Sequence, residues 1–78
     1  MITREYHNFD PLHYIETGKA LRLKAAHALA LAARKELITR LNKEPHTIVT
    51  RVWTDKLVPT PGNQLRSIYH MEVVRGQK

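Results

Sequence analysis

Cysteine is absent from this 78-residue chain, so no disulfide can stabilise it. A chain this short buries only about 60% of the surface that its unfolded form exposes, which leaves a thin margin of stability. No apolar run approaches the roughly 20 residues that span a bilayer, and the first ten residues, MITREYHNFD, lack the apolar core of a signal peptide. These absences predict a single cytoplasmic domain over residues 1–78, with no membrane contact.

Acidic residues are also scarce, with seven against thirteen lysines and arginines and a net charge of +6. Residues 18–43 hold seven basic residues and one acidic residue, so this segment carries the whole excess (7 − 1 = 6). The remainder of the chain balances six against six. A localised excess creates an electric field that scattered charges do not. Its members are Lys19, Arg22, Lys24, Arg34, Lys35, Arg40 and Lys43, against Glu36.

The segment that carries this charge is a predicted helix of about 25 residues, from Lys19 to Lys43, rich in alanine, leucine and cations. Pro45 prevents it from continuing. Upstream, residues 1–9 are typical of a strand, and Asp10 followed by Pro11 fits the N-cap and first position of a short helical turn. Gly18 is then either a break before the long helix or a tolerated helical glycine.

Two further strands are predicted after Pro45, at residues 46–55 and 65–74, joined by a long loop at 56–64 that contains two prolines. The order β-α-β-β predicts an α+β fold of two layers, in which a three-stranded antiparallel sheet packs against one long helix. Along the second strand, Trp53 has the same parity as Val49, which favours a core position. The predicted core joins the following residues: Leu23, Ala30, Leu37, Ile38 and Leu41 with Ile48 or Val49, Val52, Tyr69, Met71 and Val73.

A helical wheel places a second surface opposite the predicted core face, and most of its residues are small. It holds Leu21, Ala25, Ala28, Leu29 and Ala32. Lys24 and Lys35 flank it on one side, and Arg22 and Arg40 flank it on the other. Exposed alanine can serve only to keep a helix helical. Alternatively, small side chains let a second helix or a phosphate backbone come close.

Residues with catalytic spacing are missing from the sequence. The five histidines form no i, i+4 pair in the helix, and no metal or cofactor is expected. Trp53 and Tyr69, with Arg51, Arg66 and His70 nearby, could form an aromatic platform for single-stranded bases, but strand parity places Tyr69 towards the core. The composition therefore predicts a protein that binds a partner and is not an enzyme.

The runs HALALAARKELITRL and IYHMEVVRG, together with the overall length, resemble short accessory proteins of enterobacterial temperate phages and prophages. Such proteins mostly bind nucleic acid, a host enzyme or a defence complex. The resemblance implies a binding role and identifies no functional residue.

Charge and resemblance together lead to two functional hypotheses. In the first, the helix contacts nucleic-acid phosphates. In the second, the same surface docks on an acidic host protein, and the chain inhibits or modulates a host or defence complex. A homodimer is also expected, either through antiparallel helices centred near Ala30 or through sheet edges. The predicted phosphate ligands are Arg22, Lys24, Lys35, Arg40 and Lys43.

Overall fold

A computed structural model describes residues 1–76 and contains three strands and two helices. The strands form one sheet in the order β1-β3-β2, with β3 antiparallel to both neighbours. The longer helix packs on one face of this sheet, which confirms the predicted α+β class. The elements are β1 (Ile2–Phe9), α1 (Pro11–Glu16), α2 (Leu23–Leu41), β2 (Thr47–Pro59) and β3 (Leu65–Gly76).

The chain enters the helical layer through α1, which begins as predicted. The Asp10 carboxylate accepts a hydrogen bond from the Leu12 N–H, and Pro11 occupies the first turn. Gly18, with φ of +77°, then breaks the helix. The N–H groups of residues 19 and 20 both donate to the Tyr14 carbonyl and so close α1. For this reason α2 starts at Leu23, not at Lys19, and has 19 residues.

The core lies where the C-terminal half of α2 meets the sheet. Leu41, Met71 and Val73 are at most 2% exposed, and they are surrounded by Phe9, Leu37, Ile38 and Val49. The predicted contact between helix and sheet is therefore confirmed for most of its members. Phe9 was not predicted, because nothing in its short strand distinguishes the inner from the outer face.

On β2, the predicted alternative of Ile48 or Val49 is resolved in favour of Val49, whereas the predicted core position of Val52 is wrong. Ile48 points away from the helix and is 63% exposed, so Val49 is the core member of that pair. Val52 is 47% exposed. Because β2 is an edge strand, its side chains have neighbours on one side only.

A β-bulge between Val49 and Arg51 changes which side of the sheet the later residues of β2 face. A bulge adds one unpaired residue, and each one-residue shift moves the side chains that follow to the opposite face. Trp53 is consequently paired with His70, on the side away from the helix. The predicted core position of Trp53, which assumed regular alternation from Val49, is therefore wrong.

The β2–β3 connection is shorter than the predicted loop at residues 56–64. The strand β2 continues to Pro59, which is paired with Leu65. Pairing with β3 is interrupted between Asp55 and Val58, where Leu57 has a φ of +62°. It then continues at Val58, which is paired with Arg66. Proline is tolerated because edge strands and bulges are the places in a sheet that accept it. The hairpin narrows to a turn at residues 60–64.

Three arginines tie the helical layer to the sheet. The Arg34 guanidinium donates to the carbonyls of Trp53 and His70, at 3.1 and 3.3 Å. Arg66 binds both carboxylate oxygens of Asp10, at 2.7 and 3.0 Å. At the other end of the sheet, Arg75 bridges two carboxylates, Glu5 at 2.6 Å and Glu44 at 2.9 Å. These cations therefore have structural partners.

The Asp10–Arg66 pair predicts a stability that depends on pH. Partial burial raises the pKa of Asp10, but hydrogen bonds from Arg66 and the Leu12 N–H outweigh this and hold it below 3.8. A carboxyl with a depressed folded-state pKa adds stability above its unfolded pKa, and this is lost as pH falls through the folded value. Asp10→Asn keeps an N-cap acceptor and should lose about 1 kcal/mol at neutral pH.

Denaturant unfolding of both proteins across pH checks this expectation. The two stability curves should converge as the pH falls below about 4, because protonated Asp10 then resembles asparagine. A deficit of the same size at low and neutral pH would mean that the charge of Asp10 contributes nothing.

Candidate functional site

The outer face of α2 is built from small exposed residues between two cationic edges. Ala25, Ala28 and Ala32 are exposed there. Lys24 and Lys35 lie along one edge, and because they are eleven positions apart (35 − 24) the rise of the helix separates them by about 16 Å. The helical repeat of 3.6 residues per turn places Arg40, which is also exposed, on the opposite edge.

The two remaining predicted site residues lie at the ends of α2 instead of on its body. Arg22 is the N-cap residue, and its side chain makes no capping hydrogen bond. Lys43 lies in the turn after the helix, where its N–H donates to the Arg40 carbonyl. Leu21 also precedes the helix, so it and Arg22 do not follow the predicted wheel. We refer to the five predicted cations as the cationic helix surface: Arg22, Lys24, Lys35, Arg40 and Lys43.

Ion pairing separates this surface from the arginines that hold the fold together, although Lys19 and Lys56 also make no ion pair within residues 1–76. Over residues 1–76, none of its five side chains forms an ion pair or a side-chain hydrogen bond. Most carboxylates are engaged elsewhere. Besides the pairs at Arg66 and Arg75, Glu72 accepts from Thr50 at 2.7 Å and lies 3.9 Å from Arg4. The hydrogen bond from the Thr50 hydroxyl is the main cause that lowers the pKa of Glu72.

The result is a strong asymmetry of charge. Most cations of the sheet lie beside a carboxylate or an aromatic ring, with Lys56 as an exception among the described residues. The cationic helix surface has one acidic neighbour on the helix, Glu36, which is exposed. Arg34, the remaining cation of α2, is turned inward against Tyr69, with its guanidinium carbon 5.2 Å from the ring centroid. The positive field therefore points outward from α2.

The opposite side of the molecule carries an aromatic stack that the sequence did not predict in this form. The rings of Trp53 and His70 are stacked, with centroids 5.2 Å apart and planes 9° from parallel. The Arg51 guanidinium lies over the Trp53 ring at 4.5 Å. The Nε2 atom of His70 lies 2.9 Å from an Asp55 oxygen, which forms an ion pair when the ring is protonated.

The predicted aromatic platform of Trp53 and Tyr69 is not formed, because the bulge in β2 places the two rings on opposite faces of the sheet. Tyr69 faces α2 and meets His27 edge-on, with ring centroids 6.1 Å apart. Arg66, predicted beside it, is bound to Asp10. Only Arg51, Trp53 and His70 of the predicted set lie together.

The histidines have separate surroundings. The Nε2 atom of His27 accepts a hydrogen bond from the Ser67 N–H at 3.1 Å, which assigns this ring a neutral tautomer with the proton on Nδ1. His7 contacts Glu5 at 3.3 Å, and His13 packs edge-on against Tyr14. Within residues 1–76, no three histidine or carboxylate side chains are grouped to hold a metal ion.

Neither α1 nor α2, the helices of the described part of the chain, is long and apolar enough to cross a membrane. Comparison of the sequence with protein-family models and curated proteins, and of the fold with solved structures, gives no match. A function must therefore be inferred from the surfaces themselves.

Proposed function

We propose that this chain is a small, basic, non-enzymatic binding protein whose cationic helix surface contacts the phosphate backbone of nucleic acid. The observation that carries the proposal is the pairing asymmetry. Cations that hold the fold together have carboxylate, carbonyl or aromatic partners, whereas the five cations of this surface have none within residues 1–76. Exposed cations that are not needed for the fold are available to an external anion.

The dimensions of α2 support a phosphate ligand. A 19-residue helix is about 28 Å long, and duplex DNA carries one negative charge for about every 1.7 Å of its axis. The alanines between the two cationic edges leave room for a backbone to approach. Contacts of this kind give affinity and register without reading bases, so we propose binding that does not depend on sequence.

An acidic protein is the second candidate for the same surface, and exposed leucines favour it. Leu21 is 93% exposed and Leu29 is 39% exposed, both beside the cations. Apolar side chains within a charged surface suit a protein partner, for which charge speeds encounter and shape sets specificity. In that case the chain would act as an inhibitor or modulator of a host or defence complex.

Salt dependence tests the phosphate proposal directly. Each neutralised phosphate contributes about −0.9 to the slope of log affinity against log salt on duplex DNA and about −0.7 on a single strand. Five contacts therefore predict slopes of about −4 to −5 on duplex and about −3 to −4 on single-stranded DNA. Titration of fluorescently labelled oligonucleotides of unrelated sequence, at several salt concentrations, measures both slopes and the absence of sequence preference.

Two results would contradict nucleic-acid binding through this surface. One is the absence of binding to duplex and single-stranded DNA and RNA at low salt. The other is binding whose affinity does not change with salt. A pull-down from nuclease-treated bacterial lysate, with recovery of an acidic protein, would then favour the second candidate.

A further inference from the structure

The side of the sheet that faces away from α2 is uncovered, and we call it the open sheet face. Residues of all three strands contribute to it, because β3 is paired on both sides. Large apolar side chains are unusually accessible there: Ile2 is 74% exposed, and Tyr6 and Ile48 are each 63% exposed. The open sheet face consists of Ile2, Arg4, Tyr6, Asn8, Ile48, Arg51, Trp53, Asp55, Ile68, His70, Glu72 and Val74.

Three aliphatic members, Ile2, Ile48 and Val74, lie next to one another at one end of this face. Val74 of the central strand is paired with Ile48 on one side and with Arg4 on the other. Ile2 lies two positions before Arg4 on the same face, opposite Gly76, which has no side chain to cover it. An apolar cluster bordered by polar and aromatic residues is the arrangement found in protein interfaces.

The net charge of the open sheet face indicates which kind of partner it can bind. Arg4 and Arg51 balance Asp55 and Glu72, so the open sheet face has no net charge (2 − 2 = 0). The cationic helix surface has five positive charges, and a copy of itself would be repelled. An isologous interface must be complementary to itself. A face with equal numbers of arginines and carboxylates meets this requirement without net repulsion between the two copies.

We propose that two copies of this chain pair through their open sheet faces as a twofold-symmetric dimer. The assembly has four layers, with the two sheets packed together in the centre and one α2 on each outer side. Both cationic helix surfaces then remain accessible. Helix-to-helix pairing near Ala30 would instead bring the two positive surfaces together.

Matched substitutions on the two surfaces test this geometry. Ile48→Lys and Ile2→Lys each place a charge within the proposed interface, at side chains that are exposed in one copy and not needed for its fold. Each should weaken dimerisation at least about tenfold, because a lysine charge is then buried in the interface without a partner. Ala28→Glu changes the outer face of α2 and should leave the dimer intact.

Sedimentation equilibrium at micromolar concentrations measures the assembly state, with circular dichroism to confirm folding. Trp53 is the single tryptophan of the chain, so its emission should shift to longer wavelength as the wild type is diluted. A wild type that stays monomeric at high micromolar concentration overturns the proposal. A dimer that Ala28→Glu dissociates also overturns it, because that result indicates helix pairing. A dimer that none of the substitutions affects overturns it as well, because that result indicates pairing of sheet edges.

Discussion

Leu41→Ala should lower the free energy of unfolding by about 2–5 kcal/mol, the range for truncating a buried leucine. The side chain is 2% exposed and packs against Met71 and Val73, which are fully buried. The substitution loses the free energy gained when the leucine side chain is transferred out of water, and it leaves a cavity at the contact between helix and sheet. So small a domain has a thin margin of stability, and the variant should be partly unfolded at room temperature.

Leu29→Ala is the matched control, because it makes the same substitution in the same helix at a side chain that is 39% exposed. It should change stability by less than about 1 kcal/mol, since the side chain already lies partly in water and its removal leaves no enclosed cavity. Urea unfolding followed by circular dichroism measures both variants. Equal effects of the two substitutions would show that α2 is not anchored to the sheet through Leu41.

Regular periodicities predicted the α+β architecture well. The alternation in β3 placed Tyr69, Met71 and Val73 towards the helix, and the spacing of leucine and alanine in α2 placed Leu41 in the core. Such patterns are readable because burial repeats every two residues in a strand and about every 3.6 in a helix. The N-cap at Asp10 was equally readable, because it depends on local chemistry.

Irregular features were not predictable in the same way. The bulge after Val49 depends on how β2 pairs with β3, and it moved Trp53 from the expected core face to the open face. The late start of α2, at Leu23 and not at Lys19, depends on the positive φ of Gly18. The sequence left this residue open between a break and a tolerated glycine. Each error followed from one local departure from a regular repeat.

Charge counting identified the cationic helix surface, but it did not reveal that the five side chains have no internal partners within residues 1–76. Charge counting cannot separate Arg34, which binds carbonyl groups of the sheet, from Arg40, which is exposed. The difference arises from the direction of each side chain around α2. The partners of Arg66 and Arg75 likewise come from distant parts of the chain, and only the folded structure brings them together.

Three members of the cationic helix surface lie on the body of α2. Their combined replacement, by Lys24→Gln, Lys35→Gln and Arg40→Gln, should nearly abolish binding to duplex DNA. At about 0.1 M salt, each phosphate contact contributes about 0.9 units to the logarithm of the binding constant, relative to 1 M salt. The triple variant should therefore bind roughly 500-fold more weakly, with a salt slope reduced by about 2.7. Its stability should be unchanged, because these side chains have no partners within residues 1–76.

A control triple with the same change in net charge separates a local surface from general basicity. Arg4→Gln, Arg51→Gln and Lys56→Gln remove three exposed cations from β1 and β2. Because Arg4 and Arg51 also lie on the open sheet face, both triples and the wild type are titrated at a protein concentration at which sedimentation shows each of them to be monomeric. If the cationic helix surface holds the phosphates, this control should keep its salt slope and lose less than about tenfold in affinity, through the weaker long-range field alone. Equal losses in the two triples would mean that net charge, and not the arrangement on α2, causes binding, and the assignment of the site to α2 would be wrong.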